Sequence, residues 1–175
     1  MNKLKTTLIA QLVFFGLWGG YLLTAGKTAR PGIYLETEPV DPRDLLSGTY
    51  VALSYNISTP EQCRKLVKTN YGLAVYVKLE NKGKTASTAD GDVPLYEATD
   101  CALEPDRTGA LWARGSASVE GLPNSVPRVL YGIEKFFVNE NDPLKDARSG
   151  QVVARVKLDR FNNLRLDKLI KKHKE

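Results

Sequence analysis

Hydrophobic and polar positions recur at different periods along this chain, and the changes of period divide it. From Thr6 to Gly26, "TTLIAQLVFFGLWGGYLLTAG" holds no charged residue and one amide, Gln11. Its apolar residues run all round a helix instead of along one stripe, which argues against an ordinary surface helix. Roughly twenty such residues are what a helix needs to cross a hydrocarbon core of about 30 Å. Trp18 and Tyr21 lie toward its C-terminal end, where interfacial aromatics are favoured. The pattern predicts a transmembrane signal anchor at 6–26, behind a cytoplasmic tail at 1–5 and ahead of a linker at 27–32. A cleaved signal peptide is the competing reading: "MNKLK" supplies a basic start and "LLTAG" small residues, but the apolar run exceeds a usual h-region.

From residue 33 the period becomes two. "IYLETE" places Ile33, Leu35 and Thr37 on one strand face. "PVDPRD" ends it, because two prolines do not fit a central strand, and "RDLLSG" reads as a turn or a single helical turn ended by Gly48. Thr49 to Ile57 predicts a strand with Thr49, Val51, Leu53, Tyr55 and Ile57 facing one way. In "STPEQCRKLVKTN", Thr59 as N-cap, Pro60 at the first helical position and Gln62 closing a capping box predict a helix ending near Asn70. "YGLAVYVKLENKGK" predicts a strand with Leu73, Val75, Val77 and Leu79 inward, closed by a turn at "NKG". The small polar residues Thr85 to Asp92 read as a loop, and "VPLYEAT" and "GALWARGSASVEG" as further strands. "RVLYGIEKFFVNE" has strand character around an internal Gly132, with Tyr131, Lys135 and Phe137 on one face and Glu134 and Phe136 on the other. "NDPLKDARSG" reads as a loop or short helix closed by Gly150, and "QVVARVKLD", "RFNN" and "LRLDKLI" as a hairpin. The expected fold class is mainly β (or α+β): an N-terminal transmembrane helix, then a compact antiparallel β domain at 33–171 with one short helix, then a basic tail at 172–175. Without βαβ alternation, a doubly wound nucleotide-binding sheet is disfavoured.

Charge narrows the classes of partner. Lys and Arg outnumber Asp and Glu by 25 to 20 in the 175 residues, and much of the excess sits in "KLIKKHKE" and beside the apolar segment. That is a solvated end, or a weak contact with anionic lipid headgroups, and no nucleic-acid recognition segment accompanies it. Lys3 and Lys5 precede the apolar segment while Lys27 and Arg30 follow it, so the charge count is near a tie. The very short N-terminal tail favours N-inside, with the folded part periplasmic or extracellular at the cytoplasmic (inner) membrane. Cys63 and Cys101 suit that compartment: a disulfide there would contribute about 3–4 kcal/mol. Two unrelated buried thiols fit the sequence as well.

Little in the chain points to a reaction or a cofactor. Two cysteines and one histidine, with no CxxC or HxxxH, make no zinc site. His173 is the sole histidine and lies near the C-terminus, which excludes a Ser-His-Asp triad. No GxxxxGK[ST] or GxGxxG cradles phosphate. A signal-peptidase-like Ser–Lys pair around Pro42 and Gly48 fits poorly, because Pro39 stands at the serine position and the spacing is one residue too long. Lys78 then has no serine to activate, although Ser47 and Ser54 are available. The acidic turn with Asp41 and Asp44 reads as solvated. With Arg43 and Tyr50 it is the candidate interaction surface, and Gly16 and Gly20 form a GxxxG that permits self-association of the anchor.

"VDPRDLLSGTYVALSY" resembles the leading motif of the GDYXXLXY proteins, with Gly48, Tyr50, Leu53 and Tyr55 at the named positions and Thr49 where the motif has aspartate. "YGIEKFFVNE" and "VARVKLDRFNNLRLDKL" resemble the second half of the same group. The resemblance implies a bacterial membrane-anchored protein of a group without an established activity, often encoded beside multi-spanning membrane proteins. It carries over no catalytic residue. The function expected is a non-enzymatic accessory or interaction protein working with an integral membrane partner. A membrane-bound hydrolase of signal-peptidase-like design, or a small-ligand-binding extracytoplasmic domain, are the alternatives.

Overall fold

The computed structural model describes residues 3–25, 32–39, 50–68, 70–106, 108–119, 125–137 and 149–173, with the side chains of 3–4, 22–25, 50 and 51 outside the description. The chain forms two units, Met1–Arg30 and Pro31–Glu175. The first contains one helix, α1 (Lys3–Ala25), of 23 residues with no acidic residue in its first turn. Leu8, Ile9, Phe14 and Leu17 point to different sides of α1 at about 100° per residue, and each is more than half exposed. Side chains are described only for residues 5–21 of it. Among the described residues, no helix is long and apolar enough to cross a membrane.

The second unit is mainly β. Its strands are β1 (Ile33–Glu38), β2 (Tyr50–Ala52), β3 (Ser54–Tyr55), β4 (Leu73–Glu80), β5 (Thr85–Thr88), β6 (Gly91–Ala102), β7 (Leu111–Ser118), β8 (Arg128–Leu130), β9 (Lys135–Phe137), β10 (Val152–Leu158) and β11 (Leu164–Lys171). One sheet runs β11-β10-β1-β6-β4-β7-β8, with β3 added to β1 and β5 to β6, while β2 and β9 pair separately. Among the described strands, the paired neighbours are antiparallel except β1 with β6, where Tyr34 lies beside Leu95 and Leu35 beside Tyr96.

The sheet curls until its margins meet. Arg114 N of β7 donates to Asn162 O in the β10–β11 turn at 2.8 Å, and Thr88 at the end of β5 bridges Lys172 just after β11. His173 N donates to Ser87 O at 3.0 Å, so the sheet's pairing continues into the basic tail. At these points β5 and the end of β11 are paired with each other instead of presenting free backbone. Alternation selects what fills the inside: Ile33 and Leu35 of β1, Val75, Val77 and Leu79 of β4, and Val156 and Leu158 of β10 share the main core with Tyr55 and Val129. Val153, Val93 and Leu95 form a second, small cluster with Tyr34 and Ala86 packed against it. β10 is therefore buried on both faces where it reads "VVA", which explains its break from strict alternation.

Several expectations need correction. The strand expected over Thr49–Ile57 is divided into β2 and β3, with Leu53, Tyr55 and Ile57 buried as alternation requires. The helix expected to reach Asn70 is a single 3-10 turn, Glu61–Lys65, whose N-cap Pro60 makes no side-chain cap. Gln62 Nε2 bonds Ala98 O at 3.2 Å instead of closing a capping box. Tertiary ties to β6 override a weak local preference. The loop expected at Thr85–Asp92 is a hairpin, because Thr88 Oγ1 donates to Gly91 O and accepts Asp90 N, fixing a tight turn between β5 and β6. Finally, Tyr131 and Phe137 do not share a face: Tyr131 is buried and Phe137 is 76% exposed. Gly132, at φ +80°, interrupts the period between them with a conformation that L side chains rarely adopt.

Candidate functional site

The two sequence segments that carry the resemblance lie against each other. β2 and β9 pair in register: Tyr50 opposite Phe137, Val51 opposite Phe136, Ala52 opposite Lys135. Leu53 N extends the ladder by donating to Glu134 O at 2.8 Å. Gly132 then bends the second segment away, and backbone pairing stops. Two tyrosine hydroxyls cross the gap. Tyr55 OH donates to Ile133 O at 2.6 Å, and Tyr131 OH donates back to Ile57 O at 2.8 Å. Backbone contact resumes at Ser58 O, which accepts Val129 N at 2.8 Å. The result is an antiparallel ladder whose missing rungs are side chains, and those hydroxyls meet carbonyls that burial would otherwise leave dry.

Burial sets the chemistry of this lock. Tyr55 and Tyr131 are 0% and 6% exposed. Burial pushes both phenols well above the usual tyrosine range, and the nearby Glu134 carboxylate adds to it. Both therefore remain neutral donors at any physiological pH. Glu134 is itself engaged, with Oε1 accepting Tyr131 N at 2.5 Å. The far end of β1 joins the same structure. Ser54 N donates to Ser149 Oγ at 3.1 Å, Gly150 N donates to Thr37 Oγ1 at 2.8 Å, and Thr37 Oγ1 donates to Val152 O at 2.5 Å.

Of the residues singled out from sequence, Leu53 and Tyr55 are core. Gly48, Thr49, Asp41, Arg43 and Asp44 lie outside the described residues, as does the Tyr50 side chain, although the Tyr50 backbone pairs with Phe137. Cys63 and Cys101 are bonded to each other, with Cα atoms 5.2 Å apart, joining the 3-10 turn to the end of β6. A Cβ added at Gly16 or Gly20 would meet nothing within 4 Å. Lys78 Nζ is 2.8 Å from Glu80 Oε1. That hydrogen bond holds its amine above the usual lysine range, the opposite of what a general base needs. Ser54 belongs to β3, paired with Glu38 of β1, whereas Lys78 lies on β4 between Trp112 and Asp100, so the two occupy different strand pairs. Ser47 is outside the described residues. Among the described residues, no three His, Cys, Asp or Glu side chains gather as a metal site.

Alternation places Ile57 inward, but the acceptor role of the Ile133, Ile57 and Ser58 carbonyls is not legible, because backbone carbonyls that accept from a distant group leave no mark in a sequence. Gly132 is the legible signal: a glycine inside a strand pattern suggests a bulge or a close approach of backbones, and at φ +80° it stands where the backbone ladder is interrupted. No curated protein and no solved structure matches this chain. The family model described as GDYXXLXY protein matches residues 10–169, nearly the whole chain, and the two segments locked by Tyr55 and Tyr131 both fall within it; the chain belongs to the GDYXXLXY family.

Proposed function

We propose that this chain is a membrane-anchored, extracytoplasmic accessory protein whose β domain works as an interaction module beside an integral membrane partner. The observation that carries the reading is the reciprocal tyrosine lock: the signature positions Leu53 and Tyr55 build the domain and offer no reacting group to solvent. Several features support the anchor. Thr6–Gly26 has no charge and roughly the number of residues that a helix needs for a hydrocarbon core of about 30 Å, and α1 shows apolar side chains on every side. The disulfide between Cys63 and Cys101 suits an oxidising compartment outside the cytoplasm. Gly16 and Gly20 leave room for a second helix to approach α1.

Affinity capture of the full chain in mild detergent, after in-cell crosslinking, tests the reading. Recovery of one multi-spanning protein in repeated preparations is expected, and its consistent absence would remove the accessory role. A reporter fused after Glu175 tests the topology, where cytoplasmic activity of the reporter would reverse the orientation.

A further inference from the structure

The register of the sheet shows which end of the β domain faces the chain's entry point. β1 starts at Ile33 and runs away from it. β10 returns antiparallel, with Val156 opposite Ile33, and then continues past that point through Lys157 and Leu158 into the turn. The β10–β11 turn therefore projects on the entry side, whereas the tyrosine lock gathers at the other end, where Thr37 pairs with Tyr55. Seven residues separate Ala25 from Ile33, a reach of at most about 28 Å.

The turn is firmly built. Asp159 Oδ1 accepts Phe161 N at 2.8 Å and Asn163 N at 3.0 Å, and Asp159 N donates to Asn163 O at 3.0 Å. Arg114 N clamps Asn162 O from the side. This framework holds Phe161 outward, 59% exposed, with the Arg160 guanidinium 4.7 Å from its ring centroid. Arg165 Nε lies 3.6 Å from Asp159 Oδ2, yet the Arg165 side chain is 77% exposed and the Asp159 side chain only 17%, so the tip turns its carboxylate in and keeps the paired guanidinium in water. From Val152 to Lys172 the hairpin carries seven Lys and Arg against two Asp. A rigid aromatic flanked by arginines and held in water is the arrangement that gains most at a lipid headgroup layer, where ring and guanidinium both find favourable surroundings.

We propose that the Arg160–Phe161–Arg165 tip of the β10–β11 hairpin docks onto the anionic headgroup surface of the membrane in which the chain is anchored. This rests on the anchor reading above. The docked tip would fix the domain's tilt and direct the tyrosine-locked end away from the bilayer.

The test uses the full chain in vesicles of phosphatidylcholine alone or mixed with phosphatidylglycerol, part of the lipid being brominated as a quencher. Phe161→Trp is placed in a Trp18→Phe background, and the same chain with Phe161 retained measures the signal of Trp112, which is 3% exposed. Quenching at position 161 is expected with anionic lipid and is expected to weaken in high salt. Arg160→Gln with Arg165→Gln is expected to lower the ratio of docked to undocked chain on the order of 10- to 30-fold, at about fivefold per basic residue. Resistance to alkaline carbonate washing, scored by flotation of the same vesicles, reads the anchor separately. Retained chain without quenching would overturn the docking and leave the anchor standing, and so would quenching indifferent to lipid charge. Chain washed from the vesicles would overturn both.

Discussion

Replacing Tyr55 by phenylalanine removes one oxygen atom from the core and leaves the ring in place. The hydroxyl donates to Ile133 O at 2.6 Å, and Tyr55 and Ile133 are 0% and 4% exposed, so water cannot replace it without entering the core. Loss of the net hydrogen bond costs about 1 kcal/mol, and stranding a buried carbonyl adds about 1–2 kcal/mol more, giving about 2–3 kcal/mol in all. For a domain of this size that lowers Tm by about 6–10 °C. Urea unfolding of the oxidised full chain in detergent micelles, followed by the fluorescence of Trp112, measures it. Tyr131→Phe removes the return bond to Ile57 O at 2.8 Å and is expected to cost a similar amount. Because both hydroxyls join the same two segments, the double variant is expected to fall short of the sum by at least about 0.5 kcal/mol.

The same pair predicts an alkaline limb. Burial raises both phenols far above their unfolded value near 10, so the unfolded chain releases protons that the folded chain keeps. Stability is complete below about pH 10 and falls above it by about 1.4 kcal/mol per pH unit for each tyrosine. Tyr55→Phe is expected to reduce that slope by one such increment. A Tyr55→Phe protein that unfolds within about 0.5 kcal/mol of the parent and keeps the parent's alkaline slope would refute the structural reading of the motif. It would then have to be sought at a surface or in a reaction.

Cys63→Ala with Cys101→Ala opens a loop with a sequence separation of 38 residues, and a loss of about 4 kcal/mol is expected from chain entropy; an unchanged urea midpoint with and without reductant would contradict it. Gly115→Ala would bring a Cβ to 2.4 Å from Val129 Cγ1 and 3.1 Å from Leu130 O, and Val129 is fully buried. A cost of about 1–3 kcal/mol in the same unfolding assay is expected from this overpacking. Glu36 links Lys84 at 2.6 Å to Lys172 at 3.0 Å. Burial pushes its carboxyl up, but the bonds from Lys84 and Lys172 outweigh this and leave it below the usual glutamate range. Its contribution is thus present above about pH 4.5 and lost as pH falls through the lower folded value. Glu36→Gln is expected to cost no more than about 1 kcal/mol at neutral pH and to flatten the acid side of the stability profile.

Much of the architecture was determined by the sequence alone. Alternation at Ile33, Leu35 and Thr37, and at Val75, Val77 and Leu79, marks inward faces that the core uses, because a period of two can bury only one side of a strand. The β10–β11 hairpin is equally legible, since its turn and both strands are local features. The family is legible too, because its motif is a matter of residue order.

Tertiary structure alone decided the rest. "TASTAD" has no apolar signal, yet it forms β5 because β6 and the end of β11 supply partners on either side. "EQCRKLVKTN" has helical signals, yet it stops after one turn where Cys63 and Gln62 are tied to β6. The motif itself shows the difference most clearly. Its order of residues identifies Tyr55, but only the folded chain brings Ile133 O, 78 positions away, within 2.6 Å of its hydroxyl. Local periodicity fixes which way a side chain points. What it meets there is set by long-range pairing, and long-range pairing is written in the sum of many weak contacts that no single segment contains.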